Sequence, residues 1–239
     1  MAVRSALPFL ILLMAGPAAA GDGIDGRFGR TEVRYIAAKP AVFQNGQKAL
    51  ALDDASEAAI LRLVPEATKD FILLRSWKPA PKCPASYRLL SIQAKAPLQS
   101  SPPFGVCADL AGISFAGPYP LLHLRQSAPT KITQFTWKDG KMFELPAMTE
   151  ACFAKHEHAV EMSGRQLQQA SYVAAGEGRL QFHSAPDERC GIEGIFVVPG
   201  DRLEASRVNG RYTLVFYQHP KTPKVAAGWV HSARLKPVN

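Results

Sequence analysis

Turn signals recur along this chain about every eight to twelve residues, between apolar runs too short for long helices, and that rhythm belongs to β-sandwiches and barrels. Asn45-Gly46 and Asp139-Gly140 each separate two such runs, as does Asn209-Gly210. These dipeptides close two-residue hairpins because they tolerate a left-handed backbone. With 19 prolines and 18 glycines in 239 residues, few windows sustain a helical period. Strands are expected over Thr31–Ile36, on both sides of Asn45-Gly46, and over Ala58–Val64, Asp70–Trp77 and Ser86–Gln93. More follow over Phe104–Leu110, Ala111–Phe115, Leu121–Arg125, Ile132–Lys138 and Lys141–Leu145. Gly21–Arg30 reads as a loose leader. Asp53-Asp54-Ala55-Ser56 offers a helix cap before Ala58, but the short run and Pro65 favour a strand. One stretch breaks the rhythm. From Thr149-Glu150 to Ala170 the chain is rich in Ala, Glu, Met, Gln and Lys, which suits one helix, or two parted near Ser163-Gly164.

The predicted fold is therefore mostly β. A β-rich, disulfide-containing sandwich or barrel-like domain spans residues 31–147, a helical linker spans 148–177, and a small five-stranded barrel spans 178–239. Residues 1–20 read as a signal peptide. Arg4 precedes an apolar run from Ala6 to Ala15, Gly16-Pro17 breaks it, and Ala18-Ala19-Ala20 supplies small residues for cleavage. The run is half of the roughly 20 residues a membrane span needs, and no later stretch is apolar enough to span. A periplasmic or secreted location follows. In such an oxidising space four cysteines favour disulfides, and pairing neighbours gives Cys83–Cys107 and Cys152–Cys190. No CxxC spacing supports a cysteine metal site. The formal charge is +8, and the leader removes only Arg4. A basic exported protein meets anionic wall polymer or lipid, or an acidic protein. Its basic residues are scattered singly, so nucleic acid is not an expected partner.

The order of residues in the last quarter carries a resemblance. Ser184-Ala185-Pro186 follows an opening strand, and Phe196-Val197-Val198-Pro199-Gly200-Asp201 leads to the central strand Tyr212-Thr213-Leu214-Val215-Phe216-Tyr217. Then come Pro220-Lys221-Thr222, Gly228-Trp229-Val230 and Arg234-Leu235. In this order they resemble bacterial SH3 domains, with the glycine–tryptophan ending the most specific landmark. The resemblance implies an SH3-like barrel with a binding role at wall or protein ligands. Cys83-Pro84-Ala85-Ser86-Tyr87-Arg88, followed by Phe104-Gly105-Val106-Cys107-Ala108-Asp109-Leu110, is similar to a pattern of uncharacterised exported proteobacterial proteins. It implies a disulfide and a β fold.

No catalytic set stands out, and no cofactor or metal is expected. His156 and His158 stand at i and i+2, which on a helix points the rings apart, where a zinc peptidase helix needs i and i+4. They read as surface residues, as do Glu150, Glu157 and Glu161, the last paired with Arg165. Ser163-Gly164 lacks a nucleophile elbow, and Gly176-Glu177-Gly178 is no phosphate loop. For ligand contact the aromatics Phe216, Trp229 and Tyr212 are preferred, because a half-buried tryptophan keeps its N–H for a partner. The leading expectation is a non-enzymatic exported protein that recognises a protein or peptidoglycan. A second is an inhibitor or immunity-type protein that presents Lys78–Pro84 or Gln99–Gly105 to a wall-degrading or toxic enzyme. A third is a wall hydrolase targeted by the SH3-like module.

Overall fold

The computed structural model describes residues 22–66, 68–78, 85–126, 131–163 and 166–238, with the side chains of 166–169 left aside. Three four-stranded antiparallel meanders come first. The first sheet holds β1 (Gly23–Gly26), β2 (Gly29–Ile36), β3 (Lys39–Gln44) and β4 (Gln47–Ala51). The second holds β5 (Glu57–Pro65), β6 (Asp70–Trp77), β7 (Ala85–Ile92) and β8 (Gln99–Ser100). The third holds β9 (Ala108–Ala116), β10 (Tyr119–Gln126), β11 (Lys131–Lys138) and β12 (Lys141–Met148). Helix α1 (Glu150–Met162) leads to the fourth sheet, which begins with β13 (Gln166–Ala174), β14 (Leu180–His183) and β15 (Gly191–Val197). It is completed by β16 (Arg202–Asn209), β17 (Tyr212–Gln218), β18 (Val225–His231) and β19 (Leu235–Pro237), in the spatial order β15-β14-β18-β17-β16-β13-β19.

Side-chain alternation stacks these sheets. On β6, Phe71 and Leu73 join Tyr87, Leu89, Leu122, Leu124 and Trp137 in a core shared with the third sheet. The intervening Ile72 and Leu74 join Leu90, Val33 and Val42 in a core shared with the first. The second sheet is thus covered on both faces, which explains a β6 with no polar alternation. The third sheet turns its other face to α1 and the fourth sheet, where Leu121, Leu145 and Ala159 meet Tyr212, Leu214, Phe216 and Trp229. The fourth sheet curls round its own core of Phe182, Val197, Leu203, Val215 and Val230.

The all-β expectation with one short helix holds, and four details need correction. The predicted small barrel does not close: β15 and β19 end the strand order unpaired with each other, although Ile195 and Leu235 share one core. The expected helix stops at Met162. Thr149 caps its start by accepting from the Cys152 N–H, but Gln166–Ala174 is a strand, because β16 and β19 pair with it and override a weak helical propensity. Gly21–Arg30 is not loose leader from Gly23 onward: β1 and β2 form a hairpin whose turn carries Arg27. The Arg27 backbone N–H and guanidinium both bind the buried Asp70 carboxylate, fastening the first sheet to the second. Hairpins form at the expected Asn45-Gly46 and Asp139-Gly140 turns, with all four residues at positive φ. Phe104–Leu110 and Ala111–Phe115 do not make two strands, and their shared part is the single strand β9.

Cys152 and Cys190 are bonded, Cα to Cα 5.8 Å. The bridge ties the first turn of α1 to a short 3-10 turn, Glu188–Cys190, between β14 and β15. The Cys83–Cys107 expectation involves Cys83, outside the described residues, as do the signal peptide and part of the loop Lys78–Pro84. Gln99–Gly105 is described: it begins with the short strand β8 and packs back on Tyr87 through Phe104. No helix among the described residues is long and apolar enough to cross a membrane.

Candidate functional site

The face that the fourth sheet turns to α1 carries Tyr212, Leu214, Phe216, Trp229 and His231, on the neighbouring strands β17 and β18. Tyr212, Phe216 and Trp229 were the aromatics expected to meet a ligand. All three are buried between the third and fourth sheets and serve as interior packing, although Tyr212 and Phe216 each also line a surface opening. Gly228 beside Trp229 has its own reason: a Cβ there would meet the His183 carbonyl oxygen at 2.7 Å, so β14 and β18 approach this closely only over glycine.

Trp229 ends a buried hydrogen-bond chain. Its Nε1–H donates to His156 Nδ1 at 3.1 Å, and His156 Nε2 meets Ser114 Oγ at 3.0 Å. Ser114 Oγ also meets His123 Nε2 at 3.0 Å. An indole N–H can only donate, so His156 Nδ1 accepts and a neutral ring carries its proton on Nε2, which donates to Ser114. The serine hydroxyl then donates to His123, whose Nδ1 has no partner. Burial holds both rings neutral: His156 falls to about 4 and His123 lies well below the ordinary histidine value. Glu157 stands beside them, its carboxyl raised by burial and packed over Gly112, where a Cβ would sit 2.9 Å from its oxygen. His156 is therefore no surface residue: α1 turns Phe153, His156 and Ala159 inward, while His158 stays exposed. Glu150 pairs with Arg125, and Arg165 lies outside the described residues.

This chain has the residue types of a hydrolase, but Ser114, His123 and His156 are 3%, 0% and 1% exposed. No substrate reaches that hydroxyl, and no carboxylate orients His123. His123, His156 and Glu157 each bring a ligating atom within 4.8 Å of the others, but both imidazoles are sealed from solvent and already hydrogen-bonded. The cluster is a polar strut between α1, the third sheet and the fourth.

Two of the openings on the surface of the described residues bear on function. A groove of about 690 Å³ runs between β12 and the fourth sheet. Phe143 and Pro146 of β12, Ile195 and Phe196 of β15, Tyr217 of β17 and Val225 of β18 line it, with Glu144, Asp201, His219 and Lys224 among its polar residues. Beside it β15 is an edge strand, paired only with β14, and Gly194 lies in a stretch where that pairing loses register. Gln181 Nε2 takes up the freed carbonyls of Ile192 and Ile195, and the Arg179 guanidinium lies 4.1 Å over the Phe196 ring. Burial, reinforced by Asp201, raises the Tyr217 phenol.

The second place is a cleft of about 400 Å³ lined by Pro186, Glu188, Asn209, Arg211 and Tyr212. Glu188 in its lining also belongs to a cluster with His183 and His231, one ligating atom of each within 4.8 Å of the others. His231 Nε2 lies 3.2 Å and Arg211 Nη2 2.9 Å from Glu188 Oε1. Tyr212 stacks on His231 at 4.6 Å, with its Oη beside Glu188 but closing no hydrogen bond of normal geometry. That phenol, followed by His231, Arg211 and His183, holds the Glu188 carboxyl below the ordinary carboxylate value.

Neither cluster was visible in the sequence, because its members lie far apart in the chain. One signal pointed to the inner one: His123 is a lone polar residue inside the apolar run Leu121–Leu124. Comparison with family models, with curated proteins and with solved structures finds no match. The fold and its open sites thus define the class directly: a mostly β protein of stacked antiparallel sheets, with a helix bridged by a disulfide to its last sheet.

Proposed function

We propose that this is an exported, non-enzymatic binding protein that takes an apolar segment of a partner protein in the groove between β12 and β15. The carrying observation is the lining of that groove, in which Phe143, Pro146, Ile195, Phe196, Tyr217 and Val225 outweigh four charged or titratable side chains. Such a surface suits aliphatic and aromatic side chains of a peptide. A glycan strand asks for many planar polar partners, and this lining has few. The adjoining edge strand offers unpaired backbone groups to an extended segment. The likeness of residues 178–239 to bacterial SH3 domains supports a binding role, and the leader-like first twenty residues and the disulfide support export. The burial of Ser114 and both histidines argues against the hydrolase reading.

The test compares the wild type with Ile195→Asp, which puts a charge on the groove wall at a half-buried position. The expected result is one stoichiometric partner captured from a periplasmic extract by the wild type and lost with the variant, whose thermal unfolding stays cooperative. Sedimentation with purified peptidoglycan, abolished by the same substitution, would replace the protein ligand with wall polymer. Capture unaffected by the substitution would remove the groove from the function.

A further inference from the structure

We propose that His183, His231 and Glu188 form a binding site for one divalent transition-metal ion of zinc type, reached from the side of the exposed Glu188. One ligating atom of each residue lies within 4.8 Å of the others, and the His231–Glu188 separation of 3.2 Å is already that of two ligands on one ion. The decisive detail is the proton on His183. Its Nδ1 stands 3.1 Å from the Asp187 carbonyl oxygen, which can only accept, so Nδ1 holds the proton and Nε2 keeps the lone pair. A histidine that gives its far N–H to a backbone carbonyl is oriented and polarised as metal-ligating histidines are.

The carbonyl that does this is itself held. Asp187 precedes the 3-10 turn whose Cys190 is bonded to Cys152, and its carboxylate pairs with Lys155 of α1 and with Arg189. The turn that carries Glu188 is thus fixed at both ends before any ion arrives. His183 is buried and Glu188 exposed, so two ligands rest on rigid strands and the third closes from the surface. Two imidazoles and one carboxylate match a borderline ion such as Zn²⁺, and three protein ligands leave a fourth position for water. Arg211 opposes the ion. Its guanidinium lies 2.9 Å from Glu188 Oε1 and competes for the same carboxylate. Affinity at this site is accordingly set by the balance between Arg211 and the metal for Glu188.

The experiment is a calorimetric Zn²⁺ titration of the disulfide-intact protein after removal of metal by chelation, with Co²⁺ absorption as a second readout. The expected result is one equivalent bound in the micromolar range or tighter, with visible Co²⁺ bands of a four- or five-coordinate site. His231→Gln and Glu188→Gln, both on the accessible side, should each weaken Zn²⁺ by at least about tenfold. Arg211→Met should tighten it several-fold, while His158→Gln on the exposed face of α1 should leave it unchanged. Binding of no equivalent would overturn the site, as would affinity indifferent to both ligand substitutions. Loss of binding in His158→Gln would place the metal elsewhere and overturn it too.

Discussion

Two histidine pairs lie against the same face of the fourth sheet, and they differ in which ring nitrogen holds the proton. In the inner pair Trp229 donates into His156 Nδ1, which drives the proton to Nε2 and spends it on Ser114. In the rim pair His183 Nδ1–H donates to the Asp187 carbonyl, which keeps the proton on Nδ1 and leaves Nε2 its lone pair. The residue type is the same, and one backbone or side-chain neighbour decides whether it becomes a strut or a ligand. Burial completes the contrast. The inner rings are sealed and neutral, whereas the rim opens through Glu188 and Tyr212 into a cleft.

The largest expected effect comes from cutting the one covalent tie between the two regions. Cys152 sits on the helix that carries His156, and Cys190 ends the turn that carries Glu188. Replacing both with serine releases a bridge across 38 residues, which should cost about 3 to 4 kcal/mol in urea unfolding. A loss below about 1 kcal/mol would mean that Lys155–Asp187 and packing already fix the turn. The bridge would then not be what holds the rim in place.

Acid should separate the pairs. His156 falls from 6.5 to about 4 on folding because burial disfavours its charged form. The unfolded chain therefore binds the proton first, and stability is full above pH 6.5 and declines as the pH drops towards about 4. For this buried ring the loss is roughly 3 kcal/mol, with His123 adding in the same direction. Glu188 has the opposite sign of charge and a folded value below 4.5. Its contribution is intact above pH 4.5 and is lost only under it. Denaturant midpoints across this range should show a decline above pH 4.5 that His156→Gln reduces. A decline confined below pH 4.5 would break the contrast.

Removing one donor tests the inner chain directly. Trp229→Phe keeps an aromatic ring in the core but leaves His156 Nδ1 without its partner and opens a small void. The expected cost is about 2 kcal/mol. Without the indole donor the neutral ring is less favoured and the folded value rises, so the acid decline still begins near pH 6.5 but should be shallower and end at higher pH. A stability cost with no change in the pH profile would reduce Trp229 to packing alone.

How much of this was legible follows from range. Alternation within a strand and Asn-Gly or Asp-Gly turns are local, so β3–β4 and β11–β12 could be read directly. The β2–β3 hairpin could not: Ala37 and Ala38 hold its turn at positive φ, positions that alanine rarely takes. β13 was hidden for another reason, since its strand state depends on β16 and β19, more than thirty residues downstream. The glycine–tryptophan landmark was visible, but the burial of its tryptophan was not. Sequence order marks Trp229 as important, but only the stacking of the third sheet and α1 on that face makes it interior. The Cys152–Cys190 pair was recoverable because the spacing of four cysteines leaves few choices.

The smallest effect sharpens the comparison most, because it sets one hydroxyl against another. Ser114 Oγ bridges two buried rings, and Ser114→Ala should cost about 1 to 2 kcal/mol by leaving His156 and His123 unpaired. Tyr212 is 3% exposed, yet its Oη closes no normal hydrogen bond. Tyr212→Phe keeps the stack on His231 and the contacts with Leu214 and Trp229 in the shared core. It should change unfolding free energy by no more than about 0.5 kcal/mol. Its visible consequence belongs at Glu188: with the phenol gone, the carboxyl should rise towards its ordinary value, read by carbon-detected NMR titration. A penalty as large as that of Ser114→Ala would show that the rim, too, is a hydrogen-bonded strut, and the distinction between the two pairs would then rest on exposure alone.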